Sequence, residues 1–125
     1  MIQMVFCVKR KPSISETDFY NYWLDMHGPL VSSKVEDLGI KRYVQSHTKR
    51  ADLGNTASSG RGMKQAAFDG LAEIWWDSFE HLETVLATEP GQIAGAILAE
   101  DEARFIDMEA STIFFTEEHE VVAPD

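Results

Sequence analysis

The sequence predicts an α+β subunit with the element order β-α-β-β-α-β. Three observations carry that expectation. Four short runs rich in apolar, aromatic and β-branched residues fall at positions 2–9, 40–48, 68–76 and 108–116. Helical spacing fills the intervals after the first and the third run. Serines that can cap a helix, Ser15 and Ser78, stand at the start of both intervals. At 125 residues the chain reads as one domain over its whole length.

Taken in order, residues 2–9 are apolar enough for a strand covered on both faces. Cys7 lies inside it and reads as a small buried hydrophobe; as the only cysteine it permits no intrachain disulfide. Ser15 then opens a helix with Glu16 and Asp18 in its first turn. At about 100° per residue, Phe19, Trp23 and Met26 form an apolar stripe, flanked by Tyr22 on one side and by Tyr20 and His27 on the other. Gly28 and Pro29 read as the stop of this helix. Leu30, Val31, Val35 and Leu38 keep helical spacing up to Gly39, and the second strand follows. Residues 50–66 are rich in Gly, Ser, Asn and Ala, have no period, and are expected to be a flexible insertion in the hairpin that could cover a site. They lack the Gly-Lys-Ser/Thr of a phosphate loop. After the third strand, Ser78 caps a helix running to about residue 87, Pro90-Gly91 breaks it, and residues 92–105 are helical or irregular before the fourth strand. The order is that of a ferredoxin-like fold.

The net charge of −10 and pI near 4.7 argue against nucleic acid and anionic membranes as partners, since both need basic patches. The run Glu117-Glu118-His119-Glu120 reads as a solvated terminal face. No apolar stretch is long enough to span a bilayer, and residues 1–8 lack the basic start of a signal peptide, so a cytoplasmic protein is expected. A chain this short often completes its buried surface by oligomerising.

His27 is the first candidate for chemistry, because histidine is the side chain whose ordinary pKa lies nearest neutrality. Its alternative is a helix-terminal cap on the last carbonyls. Strand alternation puts Tyr43, Gln45 and His47 on one face of the second strand, and Asp69, Leu71, Glu73 and Trp75 on one face of the third. The other face of the third strand carries Phe68, Gly70, Ala72, Ile74 and Trp76 and is expected to lie under the helices, with Gly70 and Ala72 admitting a close approach. Tyr43, Gln45, Asp69 and Trp75 are grouped on the mixed face opposite. A carboxylate beside a histidine or tyrosine commonly orients a general base. The alternative is a face open to water. His27, His47, His81 and His119 are scattered, with neither HExxH nor paired cysteines, so no metal is expected. His81, next to Glu80 and Glu83, reads as a surface residue. Neither a Gly-x-Ser-x-Gly elbow nor a GxGxxG occurs, and Trp75-Trp76 reads as core rather than a haem or flavin wall, so no cofactor is expected either.

These residues together resemble the EthD family. The likeness lies in Phe19, Trp23, His27 and Pro29, then Arg42-Tyr43-Val44-Gln45 with His47, then Phe68-Asp69-Gly70-Leu71-Ala72-Glu73-Ile74-Trp75 with Asp77-Ser78-Phe79, and lastly Asp101, Glu102, Arg104 and Phe105. The resemblance implies a ferredoxin-like subunit that pairs through its sheet face as a homodimer, forming a dimeric α+β barrel. A sheet with helices on one side leaves a face too apolar for water, and an isologous dimer would bury it. The resemblance further implies a cofactor-independent enzyme of oxygenase, isomerase, dehydratase or decarboxylase type, acting on a small aromatic or lactone-like compound. His27 would be the general acid or base, with Asp69 or Tyr43 orienting it or holding an enolate oxygen. Trp23, Gln45, His47, Glu73 and Trp75 would bind the substrate. A non-catalytic accessory or binding protein for a partner oxygenase is the alternative. Haem handling is a third reading and needs an axial histidine facing the pocket.

Overall fold

The computed structural model describes residues 1–125. Strand β1 is Ile2–Val8. Helix α1, Glu16–Tyr22, starts at Ser15, whose side chain accepts from the Asp18 N–H. It does not stop at Gly28. It widens into one π-turn, Trp23–His27, and continues as α2, Gly28–Ser32. Phe19, Trp23, His27 and Val31 recur every fourth residue and are all 3% exposed or less. In a regular α-helix a strict four-residue repeat drifts by about 40° per step. The wide turn absorbs that drift and keeps the four side chains in line. Met26, expected on the apolar stripe, is pushed out to 60% exposure, and His27 takes the buried place. Pro29 falls in the first turn of α2, where its missing N–H costs no ladder bond that the π-turn has not already interrupted.

The left-handed glycine that ends this region is Gly39, φ 66°, after α3, Val35–Leu38. Strand β2, Arg42–His47, follows. The segment expected to be a flexible insertion contains a nine-residue helix, α4, Ala51–Ser59, with no buried residue. Strand β3 is Gly70–Trp76. Helix α5, Phe79–Leu86, is capped by Ser78. Helix α6 is Glu89–Glu102, and Pro90 lies in its first turn, so Pro90-Gly91 starts a helix rather than only breaking one. A short 3₁₀ turn, Met108–Ala110, delays strand β4 to Thr112–Thr116. No helix is long and apolar enough to cross a membrane.

The four strands lie in the order β2-β3-β1-β4, every neighbouring pair antiparallel, as in a ferredoxin-like α+β fold. Register corrects the expected grouping of faces. Tyr43 pairs with Ile74, Gln45 with Ala72 and His47 with Gly70. Directly paired residues share a face. Tyr43, Gln45 and His47 therefore lie on the side of Gly70, Ala72, Ile74 and Trp76, under the helices. Glu73 and Trp75 lie on the opposite face, with Val44 and Arg42 and with Val5 and Gln3 of β1. The helix face carries one apolar cluster around Val31, Leu38, Trp76 and Leu98, and another around Phe19, Trp23, Phe105 and Ile106. A Cβ on Gly70 would stand 2.8 Å from the Trp23 ring and 2.4 Å from the Ser46 carbonyl oxygen, so glycine is what lets the indole settle on the sheet.

Candidate functional site

Between the sheet and the helices lies a cavity of about 210 Å³. Its wall is overwhelmingly apolar, with Phe6, Ala72 and Ile74 from the strands and Leu82, Leu98 and Ile106 from the helical side. The only side chains on it that carry an ionisable or hydroxyl group are His27, Tyr43 and Glu102. A few convergent polar groups in an apolar cavity are the usual build of a small-molecule site.

His27 enters from the π-turn and is 3% exposed. Its Nδ1 lies 2.7 Å from Asp101 Oδ2. The other carboxylate oxygen, Oδ1, accepts the Tyr22 hydroxyl at 2.5 Å and the Arg104 guanidinium at 2.9 Å. Burial alone would push the Asp101 carboxyl up, but the hydrogen bonds from Tyr22, His27 and Arg104 outweigh it and hold the group below its ordinary value. An ionised carboxylate only accepts, so His27 Nδ1 carries a hydrogen, and in the neutral ring the lone pair falls on Nε2. The expected capping role of His27 is thereby replaced: the helix runs on past it, and its ring bonds to α6.

His27 Nε2 is 3.7 Å from Glu102 Oε2. Burial, and then the neighbouring Asp101 charge, raise the Glu102 carboxyl from 4.5 to about 7. Two carboxylates adjacent in sequence thus take opposite protonation preferences around one imidazole, and such separation marks candidate acid and base groups.

From the β2 side Tyr43 reaches the cavity, its hydroxyl raised chiefly by burial. Gln45 and His47, expected to touch substrate, stand behind it. Gln45 Nε2 is 2.8 Å from the Tyr43 hydroxyl and 2.7 Å from the Trp23 carbonyl oxygen. The His47 ring stacks on Trp23 with centroids 4.7 Å apart and on Tyr20 at 5.1 Å. Trp23 itself lines the cavity.

Asp69, Glu73 and Trp75 are not brought to the cavity. Asp69 Oδ2 accepts the Arg10 N–H at 2.6 Å, and its carbonyl oxygen accepts the Tyr20 hydroxyl at 2.8 Å, so it ties the ends of β1 and β3 to α1. Orienting His27, the part expected of Asp69, belongs to Asp101. Glu73 accepts from Gln3 at 2.5 Å on the far face of the sheet. Trp75 is there too, with its indole N–H on Glu118 at 2.5 Å and the Arg42 guanidinium 4.5 Å from its ring. Asp101, Glu102, Tyr22 and Arg104 had no assigned role in the sequence reading. One signal was present: Ala94, Leu98, Asp101 and Phe105 are spaced as a buried helical stripe, and Asp101 is a charge on it. No three His, Cys, Asp or Glu side chains are placed to hold a metal ion.

The fold and this cavity define a class, the ferredoxin-like α+β proteins with an apolar cavity on the helix side of the sheet. Within it, residues 11–109 match the family model of the EthD domain, and the chain belongs to the EthD family. It is similar to the dehydratase UstZ of Ustilaginoidea virens, 30% identical over 73 residues, which is 57% of this chain and 52% of that protein. The matched stretch thus spans about half the length of that relative. Among solved structures, an EthD family protein from Bacillus halodurans C-125 superposes with a TM-score of 0.60 at 16% identity, over 95% of this chain and 100% of the other. The cofactor-independent oxygenase SnoaB of Streptomyces nogalater, in a mutant form, gives 0.56 at 9% identity over 98% and 97%. An EthD-like protein from Ralstonia eutropha JMP134 gives 0.55 at 18% over 93% and 90%. At these identities the structural likeness is one of fold.

Proposed function

We propose that the cavity binds a small apolar molecule and that His27 and Glu102 move protons on it, without a bound cofactor, in a dehydratase type of reaction. The observation that carries this is the acid–base pair itself: His27 Nε2 faces Glu102 at 3.7 Å while Nδ1 is locked on Asp101. In an elimination of water, His27 Nε2 takes a proton from a carbon next to a carbonyl. The C–O bond of a β-hydroxyl breaks, the carbon–carbon double bond forms, and the proton on Glu102 leaves with the departing oxygen as water. Return of the proton from His27 to Glu102 resets the pair, and nothing is oxidised or reduced. The dehydratase name of the Ustilaginoidea relative supports this reading. The outer face of the sheet, where Phe114 is 46% exposed, is proposed to pair with a second copy.

A ketone with acidic α-hydrogens isolates the proton-abstraction step. Wild type in D₂O should speed deuterium uptake at C2 of 1-indanone over buffer, as followed by proton NMR, and His27→Gln should lose at least about 100-fold of that rate while keeping a cooperative melt. Binding of 1-indanone with uptake no faster than buffer would leave a binding protein and overturn the catalytic reading.

A further inference from the structure

Behind the cavity, three side chains form a chain of hydrogen bonds whose direction can be worked out from one fixed end. The Trp23 carbonyl, in the π-turn, can only accept. It stands 2.7 Å from Gln45, so the amide must present its nitrogen there and not its oxygen. The second hydrogen of that nitrogen then falls on the Tyr43 oxygen, 2.8 Å away. Gln45 Oε1 is left on the opposite side, 2.8 Å from His47 Nε2, where it too can only accept. His47 Nε2 must therefore carry a hydrogen. The phenol oxygen of Tyr43 already receives a bond, and its own hydrogen has no acceptor in the protein. Tyr43 lines the cavity, and the cavity is where that hydrogen is free to point.

We propose that Gln45 and His47 are positioning residues that fix Tyr43 as an obligate hydrogen-bond donor into the cavity, and that the ligand carries an acceptor oxygen, a ketone or related carbonyl, seated on Tyr43. Combined with the reading of His27 and Glu102 above, on which this part rests, the substrate class is an apolar β-hydroxy carbonyl compound. The carbonyl lies on Tyr43, and charge that develops on its oxygen as the α-proton leaves is met by a donor already in place. The stacking of His47 on Trp23 and Tyr20 holds the imidazole in the plane that Gln45 requires. Burial, with Lys49 nearby, lowers its pKa and favours the neutral ring that the relay uses.

Two measurements test this. The first is the ¹⁵N NMR spectrum of the imidazoles in the wild-type protein, which needs no folded variant. His47 should appear as the neutral tautomer with the proton on Nε2; a His47 protonated on Nδ1 alone would overturn the relay. The second is the infrared carbonyl stretch of bound 1-indanone. In wild type it should lie below its position in Tyr43→Phe. In Gln45→Glu, where a carboxylate would take the phenol hydrogen for itself, it should move up to match Tyr43→Phe. Tyr43→Phe should also weaken indanone binding about five- to tenfold. The same frequency in wild type and Tyr43→Phe, or a low frequency kept in Gln45→Glu, would overturn the proposal while leaving deuterium uptake by His27 untouched. A lowered carbonyl frequency without deuterium uptake would support the proposal and overturn only the catalytic reading. Absence of saturable indanone binding would overturn the carbonyl ligand.

Discussion

The α6 side and the β2 side of the cavity fix hydrogen positions by different physics. On the α6 side the anchor is a charge. Asp101 is 4% exposed and accepts from Tyr22, His27 and Arg104 together, and that ionised group decides which imidazole nitrogen carries the hydrogen. On the β2 side the anchor is a backbone carbonyl, and neutral groups, an amide, an imidazole and a phenol, are lined up on it. Charge-assisted bonds are stronger, and a buried charge left without partners is costly. Neutral bonds are individually modest, and their value lies in direction. The first side should therefore dominate stability and its pH dependence, and the second should dominate ligand orientation.

The strongest blow to that contrast is Asp101→Asn. It keeps the shape but leaves one carbonyl oxygen to serve three donors, and sets an NH₂ against either His27 on one side or Tyr22 and Arg104 on the other. The expected loss is about 3 kcal/mol of unfolding free energy at neutral pH, read from urea denaturation. A loss under about 1 kcal/mol would mean that the ionic side is not the anchor.

Next comes Glu102. Its folded pKa of about 7 stands above the 4.5 of an ordinary glutamate. The folded state thus binds a proton that the unfolded state has already lost, and stability falls as pH rises between those values. The penalty is complete above about pH 7 and amounts to no more than about 3 kcal/mol. Glu102→Gln should be more stable than wild type above pH 7, with the gain fading toward pH 4.5. Asp101 runs the other way: its contribution is present above the ordinary carboxylate range and is lost only in strong acid. Chemical denaturation of both proteins across pH 4 to 9 checks the sign; parallel curves would show that Glu102 does not titrate in the folded protein.

The fold was legible because it depends on period. β-branched runs and capping serines are local signals, and they located the four strands and both serine-capped helices. What failed depended on relations between elements. Alternation put Tyr43 with Gln45 and Glu73 with Trp75 correctly within each strand, yet nothing local sets the phase between strands. Only the pairing of Tyr43 with Ile74 shows that the two sets lie on opposite faces of the sheet. The π-turn defeated a fixed 100° step, which put Met26 inside and left His27 on the flank. Gly28-Pro29 carries the signature of a stop, but a proline tolerated next to a widened turn reads the same way. The site was half legible. His27, Tyr43 and Trp23 stood out by type and place, whereas Asp101 was hidden in a helix whose apolar stripe is built from small residues, Gly91 and Ala94 among them.

The mildest test bears on the neutral side. Gly28 is right-handed helical, φ −53°, and a Cβ there would lie 3.5 Å from Gln45 Nε2 and 3.7 Å from the Trp23 carbonyl oxygen. Both are ordinary contact distances, so Gly28→Ala adds a methyl group without forcing anything to move. Removing a glycine from a helical position should raise stability by about 0.5–1 kcal/mol. The methyl would also cover the bond between Gln45 and Trp23, leaving the amide with the same partners. The melting temperature should therefore rise slightly while the His47 tautomer and the bound carbonyl frequency stay where they are in wild type. A variant that melts lower, or whose His47 signal changes, would mean that the amide is held by slack that the methyl takes away. A single-atom change at Asp101 collapses the charged side, but a whole methyl group beside Gln45 should leave the neutral side working, because direction there is set by which atoms can accept and not by how strongly they do.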